Sequence, residues 1–231
     1  GDGWKNYPRD IDISRTSTHP WHTLSYLLRL HRLWPKLKGY DVVQLINPVF
    51  LELKAERIWP FYQTLRRHNG SLLMGAFGID HYWAKAGCDC RTFRYSDFNL
   101  GTQLRHTPDT ELFKAEWLTG PKGELNRRIA HDCDGIVCGL YEYYASYMAH
   151  FDQKEKLTHI PFPIIIEPHT ADDRTPKPIR FFIGIQRSRS VYKGTDIMLA
   201  ALEKLHSRYP AQTEIIRAEN VPFARYKQMM Q

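Results

Sequence analysis

No stretch of this chain stays apolar for the ~18 residues a membrane-spanning helix needs. Its longest apolar runs, "DVVQLI" and "PFPIII", are the length of strands. Cysteine is scarce, with four residues placed as Cys88/Cys90 and Cys133/Cys138. Those two spacings match the usual zinc knuckles poorly, and reduced thiols are the plainer reading. A Walker loop is missing, because G-x-x-x-x-G-K-[ST] does not occur, and no G-x-G-x-x-G follows an apolar run. Acidic residues are absent from Phe181 to Gly194, and internal repeats and low-complexity tracts are absent throughout. The opening "GDGWKNYPRD" is polar and carries no secretory leader. It reads as the interior of a longer protein, so a fragment truncated at both ends is expected.

What is present is a foldable composition. The 231 residues are 42% hydrophobic, with 13 Tyr, 11 Phe and 6 Trp, which is enough apolar surface for a packed core and too much for a disordered chain. Lys and Arg outnumber Asp and Glu by 32 to 25, so the net charge is +7. That excess favours an anionic partner: a phosphorylated small molecule, a nucleic acid or a membrane surface. The basic residues are scattered rather than gathered into one stripe, and no RNA-binding motif occurs, which disfavours nucleic acid.

Strand and helix patterns alternate along the chain. "WHTLSYLLRLHRLWPKLK" repeats apolar residues at helical spacing and is stopped or kinked at Pro35. "YDVVQLIN" predicts a buried strand, and "LELKAERIWPFYQTLRRHN" a helix with an internal proline, ended by Gly70. "SLLMGAFG" predicts the next strand, and the aromatic stretch 79–99 a long loop. A helix over Pro121–Asp132, the strand "DGIVCG", the helix "YEYYASYMAHF" and the strand "KLTHIPF" follow. Such alternation means β-α-β units and a parallel sheet, whose ligands lie beyond the carboxyl ends of the strands. Asp80 and His81, just past one such end, are therefore candidates for a catalytic base or a hydroxyl-binding pair, with a helix-capping pair as the alternative.

Residues 161–178 carry five prolines and suit a stiff interdomain linker. This divides the chain into an N-terminal domain over 1–160 and the start of a second over 179–231. The second unit runs "IRFFIGI", helix, "TEIIRA", helix. Its first helix places Met198, Ala201, Leu202 and Leu205 on one face. Between strand and helix lies a basic loop with Arg187, Arg189 and Lys193. Gly194 would let a ligand approach the backbone, and Thr195 or Asp196 could cap the helix. A diphosphate fits that chemistry better than a carboxylate, and a solvated basic loop is the alternative.

"YKGTDIMLAALEKLHSRYP" resembles the segment opening the donor-binding domain of family-4-like glycosyltransferases, two-domain enzymes of the GT-B fold. "VPFARYKQMM" and "DCDGIVCGLYEYYASY" are similar to further segments of that family. The resemblance implies that Gly184, Arg187, Arg189, Lys193, Gly194 and Thr195 bind a nucleotide-sugar. It implies a glycan or lipid-linked acceptor held by the N-terminal domain, no cofactor and no metal. The reduced thiols suit a cytoplasmic location, and the basic charge with the tyrosines of "LYEYYASYM" suits peripheral contact at the inner face of the membrane, with core and surface packing of those tyrosines as the alternative. The family's late pair of glutamates has no counterpart here, so the fragment itself is expected to be inactive and activity to belong to the full-length parent. Two alternatives stay open, a non-catalytic nucleotide-sugar or phosphate-binding protein and a basic nucleic-acid-binding module.

Overall fold

The computed structural model describes residues 10, 11, 13, 15, 17–163, 178–187, 190 and 193–230. The chain divides into two compact units, Gly1–Ile164 and Ile165–Gln231. Most of the proline-rich segment expected as a linker, 164–177, lies outside the described residues.

The first unit is α/β. Strands β1 (Val42–Leu45), β2 (Ser71–Ala76), β5 (Gly135–Cys138) and β6 (Leu157–His159) form one sheet in the order β1-β2-β5-β6. Every pairing in it is parallel, with Leu45 opposite Met74 and Met74 opposite Ile136. This is compatible with a Rossmann-like fold. A two-stranded antiparallel ribbon, β3 (Asn99–Leu100) with β4 (Gln103–Leu104), interrupts the alternation.

Helix α1 (Pro20–Leu33) begins on a proline, whose missing N–H is harmless in a first turn. It ends where Pro35 sits in a 3-10 turn, Trp34–Leu37. The second proline expected inside a helix is instead at the start of one. Helix α2 (Trp59–His68) has Pro60 in its first turn, and the preceding residues form a separate 3-10 turn, Ala55–Arg57. Helix α5 (Pro121–Asp132) matches the expected bounds, and α6 (Tyr141–His150) follows β5.

Two expectations are corrected. The stretch 79–99 is not a loop throughout, because α3 spans His81–Cys88. Its residues His81, Tyr82, Trp83, Ala84, Ala86 and Gly87 are all buried, so no polar face marks it as amphipathic. The strand after Gly39 is not buried either. It is a sheet edge, with Val42 exposed and only Leu45 fully covered.

The core lies where β2, β5, α1, α2, α3, α5 and α6 meet. Tyr26, Leu30, Ile58, Tyr62, Leu72, Met74, Ile129, Ile136 and Tyr147 are each at most 1% exposed. A buried aliphatic side chain of this size contributes about 1.5–3 kcal/mol. Polar ties fix the sheet to its helices. Asp134 receives the guanidinium of Arg66 at both oxygens, and its Oδ2 also accepts the Leu72 N–H at 2.7 Å. The Arg66 pairing holds the Asp134 carboxyl below its ordinary range.

The second unit is smaller. Strands β7 (Ile179–Ile185) and β8 (Thr213–Glu219) pair in parallel over seven residues, from Ile179 opposite Thr213 to Ile185 opposite Glu219. Helix α7 (Thr195–Arg208) crosses between them and α8 (Phe223–Met229) follows. The expected apolar stripe on α7 is not a buried face. Met198 and Leu205 are exposed, because two strands offer little surface to cover them.

Candidate functional site

At the carboxyl ends of β1 and β2 a pocket of about 210 Å³ opens. Ile46, Asn47 and Val49 line it from the segment after β1, and Phe77, Gly78 and Ile79 from the segment after β2. Trp117 and Lys122 complete the wall. Lys122 lies 5.7 Å from the centre of the Trp117 ring and pairs with Glu116 at 2.7 Å. This is where a parallel sheet is expected to receive a ligand. The walls are apolar and aromatic, with Asn47 and Lys122 as polar groups. Such a lining suits a ring with an apolar face and a hydroxylated edge.

Trp117 is carried by a single π-helical turn, Ala115–Thr119, that continues helix α4 (Pro108–Lys114). Turns of this kind hold one residue more than an α-turn and recur at functional sites. The Trp117 carbonyl receives the His81 Nδ1–H at 2.8 Å. Gly123 packs so closely beneath that carbonyl that no Cβ would fit.

Asp80 and His81 stand immediately beyond the pocket wall in sequence, and neither lines the pocket. Asp80 is the N-cap of α3, its Oδ1 accepting the Trp83 N–H at 2.8 Å. Its Oδ2 accepts the Tyr147 hydroxyl proton at 2.9 Å. Tyr147 in turn accepts from Asn126 Nδ2 at 3.2 Å, while Asn126 Oδ1 accepts the His81 N–H at 2.8 Å. The four residues form one buried network joining α3, α5 and α6. Burial pushes the Asp80 carboxyl up to about 6, against the opposing bonds from Trp83 and Tyr147. Burial likewise lowers the His81 imidazole, so the ring is neutral near pH 7. With its proton on Nδ1, held by Trp117, its Nε2 is the atom left able to accept one. Of the two residues, Asp80 has both carboxylate oxygens engaged and His81 has a nitrogen to spare.

Neither Asn47, Trp117 nor Lys122 was singled out from the sequence. Asn47 could have been, since it stands two residues past the end of β1. Trp117 and Lys122 come to the pocket from about 40 residues downstream of β2, and no spacing rule connects them to it.

In the second unit, β7 ends at Ile185 and α7 begins at Thr195. The helix therefore begins at one of the two residues expected to cap it. Gly194 is its N-cap, at a φ of 59°, a left-handed conformation that glycine adopts without strain. Neither Thr195 nor Asp196 caps it, and no side chain does among the described residues. Thr195 is buried, its N–H donating to the Ser190 carbonyl at 2.9 Å.

Lys193 precedes Gly194, its Nζ 3.3 Å from Gln186 Oε1. Arg187 pairs through Nε with Glu219, at the end of β8. The loop is thus acid-free along the chain but not in space, since the parallel register brings Glu219 beside it. Arg189 lies outside the described residues. Gly184 is closely approached by the chain itself: a Cβ there would stand 2.5 Å from the Tyr226 hydroxyl.

The cysteines are free thiols. Burial pushes Cys133 up to about 11 and Cys138 up to about 12. Among the described residues, no three His, Cys, Asp or Glu side chains cluster in a way that could hold a metal ion, and no helix is long and apolar enough to cross a membrane. Of the tyrosines expected at a membrane, Tyr147 is in the core, Tyr144 stacks on His159 and Tyr141 is exposed.

No protein-family model, no curated protein and no solved structure matches this chain.

Proposed function

We propose that this chain belongs to a GT-B-type glycosyltransferase that moves a sugar from a nucleotide-sugar to a glycan or lipid-linked acceptor. The observation that carries the reading is the setting of "YKGTDIMLAALEKLHSRYP". That segment follows a parallel strand and a basic loop and forms a helix, with Lys193 beside a left-handed Gly194. The uncapped first turn of α7 adds amide N–H groups and the positive end of a helix dipole.

In this reading the acceptor hydroxyl attacks the anomeric carbon of the donor as the bond from that carbon to the phosphate oxygen breaks. The electron pair leaves on the nucleoside diphosphate, where Lys193, Arg187 and Arg189 stabilise the growing charge. Gly194 shapes the backbone around it, while Gly184 and Thr195 pack against Tyr226 and the Ser190 carbonyl and hold the loop in place. Arg187 exchanges Glu219 for phosphate on binding. The hydroxyl proton passes to a base; Asp80 and His81, the pair offered by the sequence, are buried and do not line the pocket, Asp80 fixing the start of α3. The pocket beside Trp117 receives the acceptor.

Isothermal titration with UDP, GDP and ADP tests the donor side. One of the three should bind, and Lys193→Ala should weaken it about 10- to 100-fold, the loss of one charge-assisted hydrogen bond. Absence of binding by all three, or affinity indifferent to Lys193, would overturn the assignment. Binding by the full-length parent without release of nucleoside diphosphate from any nucleotide-sugar would leave a sensor in place of an enzyme.

A further inference from the structure

Helix α1 is apolar on two opposite faces. Successive residues turn by about 100°. Tyr26 and Leu30 therefore share one side, and both are 1% exposed. Trp21, Leu24 and Leu28 lie on the other, exposed by 72%, 48% and 52%. Serving a core explains the first face and leaves the second unexplained. Water is a poor solvent for an indole and two isobutyl groups set side by side over two turns.

Along the chain, the sequence around that stripe carries one sign of charge. No Asp or Glu occurs between Asp12 and Asp41, whereas Arg15, Arg29, Arg32, Lys36 and Lys38 fall in the same interval. Arg32 sits within about 40° of the stripe's axis, on the same solvent face. Lys36 and Lys38 extend the basic character through the 3-10 turn, and both are exposed. The fold brings Glu52 to this helix, its N–H donating to the buried Tyr26 hydroxyl and its Oε2 accepting the Arg15 N–H, so the basic residues the stripe relies on are Arg32, Lys36 and Lys38.

We propose that α1 is a membrane-surface helix that lays Trp21, Leu24 and Leu28 into the interfacial region of an anionic bilayer. Trp favours that depth, where its ring is apolar and its N–H can find a headgroup. Arg32, Lys36 and Lys38 meet the lipid phosphates. Helix α1 lies along the surface and does not span it, which agrees with its 14 residues. Charge selects a bilayer over a second copy of the chain, whose own α1 would bring the same positive charge against it. This surface is separate from the donor loop and the Trp117 pocket, and it stands whether or not the chain transfers sugar.

The test is co-sedimentation of the chain with vesicles of equimolar phosphatidylglycerol and phosphatidylcholine, beside pure phosphatidylcholine. Binding should occur to the mixed vesicles and fall as salt rises. Leu24→Ser with Leu28→Ser should reduce it about tenfold or more. Arg32→Gln with Lys36→Gln should reduce it about 25-fold, near fivefold per charge. Both pairs are solvent-exposed, so circular dichroism should be unchanged. Leu205→Ser, at an exposed apolar position on α7, should bind like the unaltered chain. Equal binding to pure phosphatidylcholine would overturn the proposal, as would indifference to either pair. Self-association in the absence of lipid that is abolished by Leu24→Ser with Leu28→Ser would assign the stripe to a second copy and overturn it too.

Discussion

Replacing Asp80 by asparagine removes a titrating group from the interior with almost no change of shape. The carboxyl is 2% exposed, and burial raises it from 3.8 to about 6. Between those two values the folded chain holds a proton that the unfolded chain has given up. Stability therefore falls as pH rises through the window. About two pKa units at about 1.4 kcal/mol each make roughly 3 kcal/mol of stability that Asp80 withdraws by neutral pH. Asparagine does not titrate. Its oxygen can still accept the Trp83 N–H, but its amide then faces a Tyr147 hydroxyl that already accepts from Asn126. The Tyr147 proton loses its acceptor, at about 1–3 kcal/mol.

Asp80→Asn should thus be the less stable protein by that amount near pH 4 and draw level with or pass the unaltered chain by about pH 7.5. Urea unfolding followed by tryptophan fluorescence measures this, because all six tryptophans fall before residue 165 and report on the first unit. Taking the difference between the two proteins cancels Asp89 and Asp134, which respond in the opposite sense, their carboxyls being held low by hydrogen bonds from Thr92 and Arg66. A difference that does not move with pH, or one that grows in favour of the unaltered chain as pH rises, would show that the buried carboxylate is stabilised as an anion and refute the reasoning.

Other outcomes are as definite. Asp134→Ala strips the Leu72 N–H of its acceptor and Arg66 of its partner, and should cost about 2–3 kcal/mol in the same urea assay, discounted for the pair's partial exposure. Gly194→Ala places a Cβ at a φ of 59°, and should lower the stability of the second unit by about 1 kcal/mol, read by amide exchange in α7. Gly123→Ala drives a Cβ into the Trp117 carbonyl, so it should lower the melting temperature and alter the fluorescence from Trp117, with about 1–3 kcal/mol lost. Trp117→Leu should leave nucleoside diphosphate binding intact while weakening any acceptor that occupies the pocket, measured by a rise in acceptor KM in the full-length parent.

Much of the sheet is legible because its parallel strands are apolar runs between helices with recognisable starts, Pro121 opening α5 being the clearest. Helix α3 is not, since burial on every side erases the periodicity that reveals a surface helix. Its one local signal was Asp80, three residues before the amide it caps. An apolar run also does not distinguish an edge strand from a central one, so the sequence of β1 reads as a buried strand although the strand lies at the sheet edge. At the candidate sites, residue types could be read but their partners could not. Arg187 meets Glu219 across 32 residues of chain, a contact fixed by strand register. Asp80 meets Tyr147 across 67, and only the packing of α3 on α6 makes that pair.

The π turn at Ala115–Thr119 stores geometry as a count of residues and not as a choice among them. Substitutions there alter side chains yet leave the surplus residue in place, so the Trp117 carbonyl keeps its aim at His81 through most single changes of sequence. Deleting one residue between Lys114 and Gly120 would do what those changes cannot. The helix would regularise, everything beyond the deletion would swing by about 100°, and the carbonyl would leave the imidazole. Descent by insertion and deletion, more than by point mutation, is then the route by which a chain of this kind gains or loses this wall of its pocket.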